Sequence, residues 1–179
     1  DLRAANYPLT EFSISDTLFA QNRKNLMAAA AIALVWLGML IGVSFLATPV
    51  KFVVTDLSLA VALQVGQATF GLFTKVEWLF AGALLALSLP RWRRRALRLA
   101  FSAGLGIIVV LQGVWLLPVL DARVAAIVAG EMPPPSAHHA LYAGLEGLKA
   151  AMLFGAAVVF LRALREIPGG LNAPAARGA

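Results

Sequence analysis

Lys75, Glu77, Glu146 and Lys149 are charged side chains set inside long hydrophobic stretches. Carboxylates and amines at such places are the acids, bases and counter-ions of proton and ligand chemistry. At membrane depth they are costly and persist when paired or useful. Glu146 and Lys149 are three residues apart and share one helix face. Lys75 and Glu77 point about 200° apart around a helix, so they do not serve each other. Pairing between helices, Glu77 with Lys149 and Lys75 with Glu146, is the arrangement the spacing leaves open.

Further polar groups belong to the same layer. Gln112, Gln67, Ser44 and Thr48 are candidates, and His138 and His139 stand just after a proline run. Adjacent helical residues diverge by about 100°, so the two histidines do not serve one metal together, which argues against a haem with two axial histidines in one chain. Either could join a copper or zinc site only with carboxylate, methionine or subunit partners. Met27, Met39, Met132 and Met152 are scattered and form no copper track.

The charged set supports two main readings: an ion-pair network that locks helix order, or a binding or proton-handling cavity. Simple snorkelling of the long side chains toward the interface is a third. The absence of cysteine excludes disulfides, thiolate metal sites and cysteine nucleophiles. No nucleotide-binding glycine loop, HExxH or nucleophile elbow occurs. Glu77 and Glu146 form an acid and base without a nucleophile, so no catalytic residue is assigned and no cofactor is required.

The elements that must position these residues are hydrophobic helices. Of 179 residues, 60% are hydrophobic and only 13% are charged, against about 25% charged in soluble domains. Four apolar stretches approach the roughly 20 residues needed to cross a bilayer. They run from Leu26 to about Val50, within Leu59 to Leu89, from Ala96 to Leu117, and from Ala140 to Leu164. The first is too long for a signal h-region and is read as a permanent anchor. The opening part of the second, Leu59 to Thr69, is expected to be tilted, interfacial or outside the bilayer.

Eleven of the fifteen basic residues fall on the two termini and the middle loop, which includes Arg91, Arg93, Arg94, Arg95 and Arg98. Cytoplasmic loops collect Lys and Arg, so both termini are expected in the cytoplasm. The +6 net charge is thereby a topology signal, with no nucleic acid implied. On helix rise, Glu77 lies about 18 Å, Lys75 about 21 Å, Lys149 about 22 Å and Glu146 about 27 Å from the cytoplasmic ends of their spans. All four belong to the outer half of the bilayer.

The connections have distinct characters. Residues 1–25 are expected as a polar segment resting on the interface through Tyr7, Phe12, Ile14, Leu18 and Phe19. The outer loop from Pro118 to Ser136 contains a short amphipathic helix, Asp121 to Gly130, and a stiff Pro133-Pro134-Pro135 run. Residues 165–179 form a flexible tail. Trp92 and Trp115 are interfacial anchors, and Gly38 to Gly42 is a GxxxG pattern that permits close helix approach.

The stretch Gly42-Val43-Ser44-Phe45-Leu46-Ala47-Thr48-Pro49-Val50-Lys51-Phe52 resembles the first span of a family of small bacterial four-span proteins known only as a domain of unknown function. Phe73-Thr74-Lys75-Val76-Glu77-Trp78 and His139-Ala140-Leu141-Tyr142 with Glu146 and Lys149 carry the same resemblance. The general pattern is similar to the membrane domains of copper-resistance D-type proteins. The resemblance covers about Leu26 to Leu164. It implies that Lys51, Lys75, Glu77, His139, Glu146 and Lys149 act as one set in a bacterial inner membrane, and it lends no activity.

The expected fold is an all-α integral membrane four-helix bundle with both termini cytoplasmic. The expected function is non-enzymatic: an accessory or binding subunit using the charged cluster of Lys51, Lys75, Glu77, Gln112, His139, Glu146 and Lys149. Its partners would be the lipid bilayer and a larger membrane complex, a second copy or a small ligand. The alternative is an ion- or proton-coupled transporter or metal-handling protein using Glu77 and Glu146, with His138 and His139 the metal candidates.

Overall fold

The computed structural model describes residues 9–89 and 95–167, with side chains from residue 17 in the first segment and residue 96 in the second. Within these residues the chain is helical, and four helices are long and apolar enough to cross a membrane: Thr17–Val50, Leu59–Ser88, Ala96–Val128 and His138–Arg165. We call these spans 1 to 4. Their helical pieces are α1 (Leu9–Leu40) and α2 (Thr48–Val50) in span 1, α3 (Leu59–Ser88) as span 2, α4 (Arg95–Val110) and α5 (Leu117–Val128) in span 3, and α6 (His138–Arg165) as span 4. Two π-helical segments join the pieces, π1 (Ile41–Ala47) and π2 (Leu111–Leu116).

Consecutive spans run antiparallel and pack as neighbours, and span 1 closes the ring by packing along span 4. Spans 1 and 3 are therefore diagonal, as are spans 2 and 4. This is the up-down-up-down bundle. The core contains an alanine seam: Ala29, Ala30 and Ala33 of α1 are buried with Ala156, Ala157 and Ala163 of α6. Small residues let two helix backbones approach closely. Leu26, Leu84, Leu105, Leu153 and Phe160 fill the space around the seam.

The outside of the bundle is as apolar as the inside. Leu34, Val35, Leu72, Leu79, Ile107, Val114 and Phe154 are all exposed. Only about a third or less of each span's most apolar window is buried within the chain. So large an apolar surface needs a cover other than water.

The π segments have a local cause. In span 1 the Thr48 N–H reaches back to the Val43 carbonyl, and in span 3 the Leu117 N–H reaches the Gln112 carbonyl. Each is an i→i−5 bond. Pro49 and Pro118 follow immediately. A proline ring clashes with the carbonyl four residues before it and lacks an N–H. Those carbonyls belong to Phe45 and Val114, inside the two π segments, where the wider turn gives the ring room.

This widening corrects one expectation. Pro118 does not end span 3; the helix continues through it to Val128, so the surface helix expected at Asp121 to Gly130 is the end of the span itself. The helix stops at Gly130, whose φ is +86°. Glu131 N–H bonds Ala126 O at 2.9 Å and Gly130 N–H bonds Ile127 O at 3.0 Å. That is a Schellman ending, which favours glycine at the left-handed position. Arg123 Nη2 then donates to Pro134 O at 2.8 Å and ties the proline run to α5.

Other expectations change or fall outside view. Leu59 to Thr69 is not separate from span 2: α3 is continuous from Leu59, where the Ser58 side chain accepts from Val61 N–H at 3.3 Å. The glycines of the Gly38 to Gly42 pattern face open space, with nothing within 4 Å of an added Cβ, so close packing comes from the alanines instead. The helix of span 1 reaches back to Leu9, and Leu18 and Phe19 on it are exposed. The expected tail begins later than residue 165, since Arg165 is the last residue of α6; residues 168–179 lie outside the described residues, as do Tyr7, the arginine run at 91–94 with Trp92, and the side chains of Phe12 and Ile14.

Candidate functional site

The four spans converge on one buried polar cluster. Glu77, on span 2, and Lys149, on span 4, have no solvent exposure, and Glu146 has 2%. Lys149 Nζ stands 2.5 Å from Glu77 Oε1 and 2.6 Å from Glu146 Oε1. One ammonium thus bridges two carboxylates. Spans 2 and 4 are diagonal, so the Glu77–Lys149 pair crosses the middle of the bundle.

The remaining spans supply neutral donors. From span 1, Trp36 Nε1 donates to Glu77 Oε1 at 3.1 Å and Ser44 Oγ donates to Glu146 Oε2 at 2.6 Å. From span 3, Gln112 Nε2 donates to Glu146 Oε1 at 2.9 Å and reaches Tyr142 O at 3.4 Å. Ser44 lies in π1 and Gln112 in π2. Each widened turn therefore presents one polar side chain to Glu146. π-helical insertions are frequent at functional sites.

The two carboxylates are not equivalent. Both oxygens of Glu146 accept hydrogen bonds, from Ser44, Gln112 and Lys149. Glu77 receives Trp36 and Lys149 on Oε1, while its buried Oε2 has no partner. Formally the triad carries two negative charges and one positive. The uncompensated charge is best met at Glu77, the carboxylate with fewer donors.

A cavity of about 490 Å³ ends on this cluster. Glu146, Ser44 and Tyr142 form its floor, and Phe45, Leu63, Phe70, Leu120, Val124 and Ile127 make apolar walls. Lys51, Gln67, Asp121, Arg123 and His139 complete the lining. Helix rise over the seven residues from His139 to Glu146 gives a depth of about 10 Å. The volume falls in the roughly 300–1,000 Å³ range of small-molecule pockets. The Tyr142 hydroxyl lies beside Thr74 without closing a hydrogen bond to it, and its ring meets Phe70 edge-on at 5.4 Å.

Lys51 sits at the mouth, just beyond span 1. Its amine folds against Gly66, where an added Cβ would collide with Nζ, and lies 5.1 Å from the Phe52 ring centroid. Burial holds this amine below the ordinary lysine value. Asp121 lies beside Gln67.

Of the residues expected to act together, Glu77, Gln112, Glu146 and Lys149 form the cluster, while Lys51 and His139 line the cavity above it. Lys75 is apart from them: it is exposed on the outside of α3. The Lys75–Glu146 pair that the spacing left open does not form, because Lys75 lies on the outer face of α3 and Lys149 pairs with Glu146 instead. His138 turns away from His139, placing its ring edge-on to Trp115 at 6.2 Å. Among the described residues no group of three or more His, Asp or Glu side chains is placed to hold a metal ion.

Trp36, Tyr142, Asp121 and Arg123 were not legible as site residues. A tryptophan in a span reads as packing, and Arg123 as loop charge. Pro118 reads as a helix end; π2 accommodates its ring, so span 3 continues far enough to carry Asp121 and Arg123 to the cavity.

No family model matches the chain, and neither a characterised protein nor a solved structure matches it. The class that fold and site define is a bundle of four helices long and apolar enough to cross a membrane, with a cavity closed by a buried ionic cluster.

Proposed function

We propose that this is a non-enzymatic, multi-pass protein of the bacterial inner membrane that binds a small amphipathic ligand in the cavity above Glu146. Both termini lie in the cytoplasm in this reading, because the basic residues collect on that side. The Lys51 end of the bundle then faces outward, and the cavity opens away from the cytoplasm. The observation that carries the proposal is the cavity itself: all four spans line it, its walls are apolar, and its floor is a fixed ionic cluster. Preorganised polar groups at the end of an apolar pocket are what small-ligand recognition requires.

The test is native mass spectrometry after gentle extraction from the producing membrane. The wild-type protein should retain a small molecule. Ala143→Trp, which places an indole in the cavity lining, should lose it while keeping helical content and melting behaviour. A stoichiometric protein partner held equally by both forms, with no small molecule, would overturn ligand binding in favour of an accessory subunit.

A second reading, proton or ion transport, draws on the charge imbalance of the triad and the unpartnered Glu77 Oε2. In that reading Glu77 and Glu146 load and release protons through the cavity. Reconstituted protein should then show pH-driven flux that Glu77→Gln abolishes; equal flux from both forms would exclude it.

A further inference from the structure

Three features of the cavity constrain what fills it. The floor is chemically quiet: both Glu146 oxygens are already hydrogen-bonded and the residue is almost fully buried. Three donors already take most of the acceptor sites of Glu146, so an amine arriving there would gain little. The walls are mostly aromatic and aliphatic, so they suit a hydrocarbon chain. The mouth carries two cations, Lys51 and Arg123, against one carboxylate, Asp121.

The two mouth cations are not equally available. Arg123 spends Nη2 on Pro134 O. Lys51 takes part in no ion pair among the described residues, and its amine is folded inward over the Gly66 backbone. A partly desolvated ammonium without a carboxylate is unfavourable, which is consistent with its depressed basicity. An anion brought to it would restore the missing counter-charge. Beside the mouth, Phe45, Phe52 and Val53 are 47%, 51% and 77% exposed. They form an apolar sill over which a chain can pass from surrounding lipid.

We infer that the cavity takes a single-chain anionic amphiphile, with its carboxylate or phosphate head at Lys51 and its hydrocarbon chain running down the apolar wall toward Glu146. This rests on the ligand-binding reading above and adds to it the charge and shape of the ligand. His139 lines the same cavity. Carboxylate and phosphate heads share the same recognition chemistry at an ammonium, a charge-assisted hydrogen bond. A cationic or neutral amphiphile of equal length lacks it.

The experiment uses the full chain in phosphatidylcholine nanodiscs, with binding measured in excess of empty nanodiscs. Dodecanoate, dodecyl phosphate and dodecyltrimethylammonium are the probes. Dodecanoate, dodecyl phosphate or both should bind saturably, and the preferred one identifies the head group; the cation should not. Lys51→Gln should weaken the anion by at least roughly tenfold, the loss expected for one charge-assisted contact. Lys51→Arg should restore most of the affinity. Lys75→Gln, which removes a lysine from the outside of the bundle, should change nothing. Equal binding of the cation, or equal effects of Lys51→Gln and Lys75→Gln, would overturn the assignment. If no probe binds but Ala143→Trp still strips a native small molecule, the anionic class is wrong and the cavity reading stands. If no probe binds and no native molecule is retained, both fail together.

Discussion

Lys149 and Glu77 come from diagonally opposite spans and meet at 2.5 Å in the centre of the bundle. Neighbouring spans touch along their lengths mainly through apolar side chains; this ion pair ties one diagonal, where the Phe70 and Tyr142 rings also meet. Lys149→Met should therefore be severe. It strands two buried carboxylates, and breaking a buried pair from one side costs about 3–5 kcal/mol. The triple change Glu77→Gln, Glu146→Gln, Lys149→Met should recover much of the loss, since no buried charge is left uncompensated. Thermal melts of the purified variants check this, and a Lys149→Met melt equal to wild type would sink the idea of a structural lock.

Trp36→Phe keeps the aromatic volume but removes the donor to Glu77 Oε1. Lys149 still serves that oxygen, so the expected cost is modest, about 1 kcal/mol. The informative quantity is coupling: with Glu77→Gln present, Trp36→Phe should cost measurably less. A double-mutant cycle on denaturation midpoints measures it, and strict additivity would mean that the indole contributes packing alone.

Pro49→Ala should weaken the site although Pro49 is exposed and touches neither carboxylate. Restoring an N–H and removing the ring favours ordinary α-helical turns over π1. Ser44 would then rotate relative to Glu146 and lose its 2.6 Å hydrogen bond. Because the chain has no cysteine, Ser44→Cys gives a clean probe. Its labelling rate should rise in the Pro49→Ala background, and an unchanged rate would show that π1 persists without the proline.

Ligand affinity should also depend on pH through Lys51. Its amine lies below the ordinary value of 10.5 in the empty cavity because burial disfavours the ammonium. The anion needs that ammonium, so raising the pH through the depressed value should lower affinity for dodecanoate. The sign for stability without ligand is opposite: the protonated amine carries the desolvation penalty, and that penalty is relieved as pH rises. Asp121, Arg123 and His139 share the mouth, so the comparison is with Lys51→Arg, whose affinity should persist to higher pH. Parallel profiles for the two proteins would assign the effect elsewhere.

Topology is open to the same cysteine strategy. A membrane-impermeant maleimide should label Asp56→Cys and Glu131→Cys in intact cells. Arg165→Cys should label only after the membrane is opened. The reverse pattern would place the cavity on the cytoplasmic side.

The sequence was most informative where charge met hydrophobicity. Four long apolar helices and the openness of Glu77 to Lys149 could be read from spacing, because a charge inside an apolar run is conspicuous and helix rise gives its position along the helix. Lys75 was misleading for the same reason: position along a helix is legible, but which face of a uniformly apolar helix turns inward is not. Lys75 lies only two residues from Glu77 and points outward. The π segments were illegible as such, since a single widened turn leaves little trace in hydrophobic periodicity. Their proline markers were read as helix ends, which placed Asp121 and Arg123 in a loop rather than in the cavity wall. The Gly38 to Gly42 pattern invited a close helix contact that Ala29, Ala30 and Ala33 provide instead.

The alanine seam between α1 and α6 divides the molecule mechanically. Alanine has no side-chain rotamers to lose or exchange, so the seam behaves as a stiff base with little to rearrange. Toward Lys51 the same two helices part around the cavity, and span 1 there runs through π1, where the regular ladder of backbone bonds is interrupted. Bending concentrates at such interruptions. The bundle is thus built like a peg, closed at the alanines and tied where Ser44 and Gln112 meet Glu146, with jaws that part beyond them toward Lys51. Ligands of different girth would be accommodated by the jaws, while the grip of Lys149 on its two carboxylates marks the depth to which they can open.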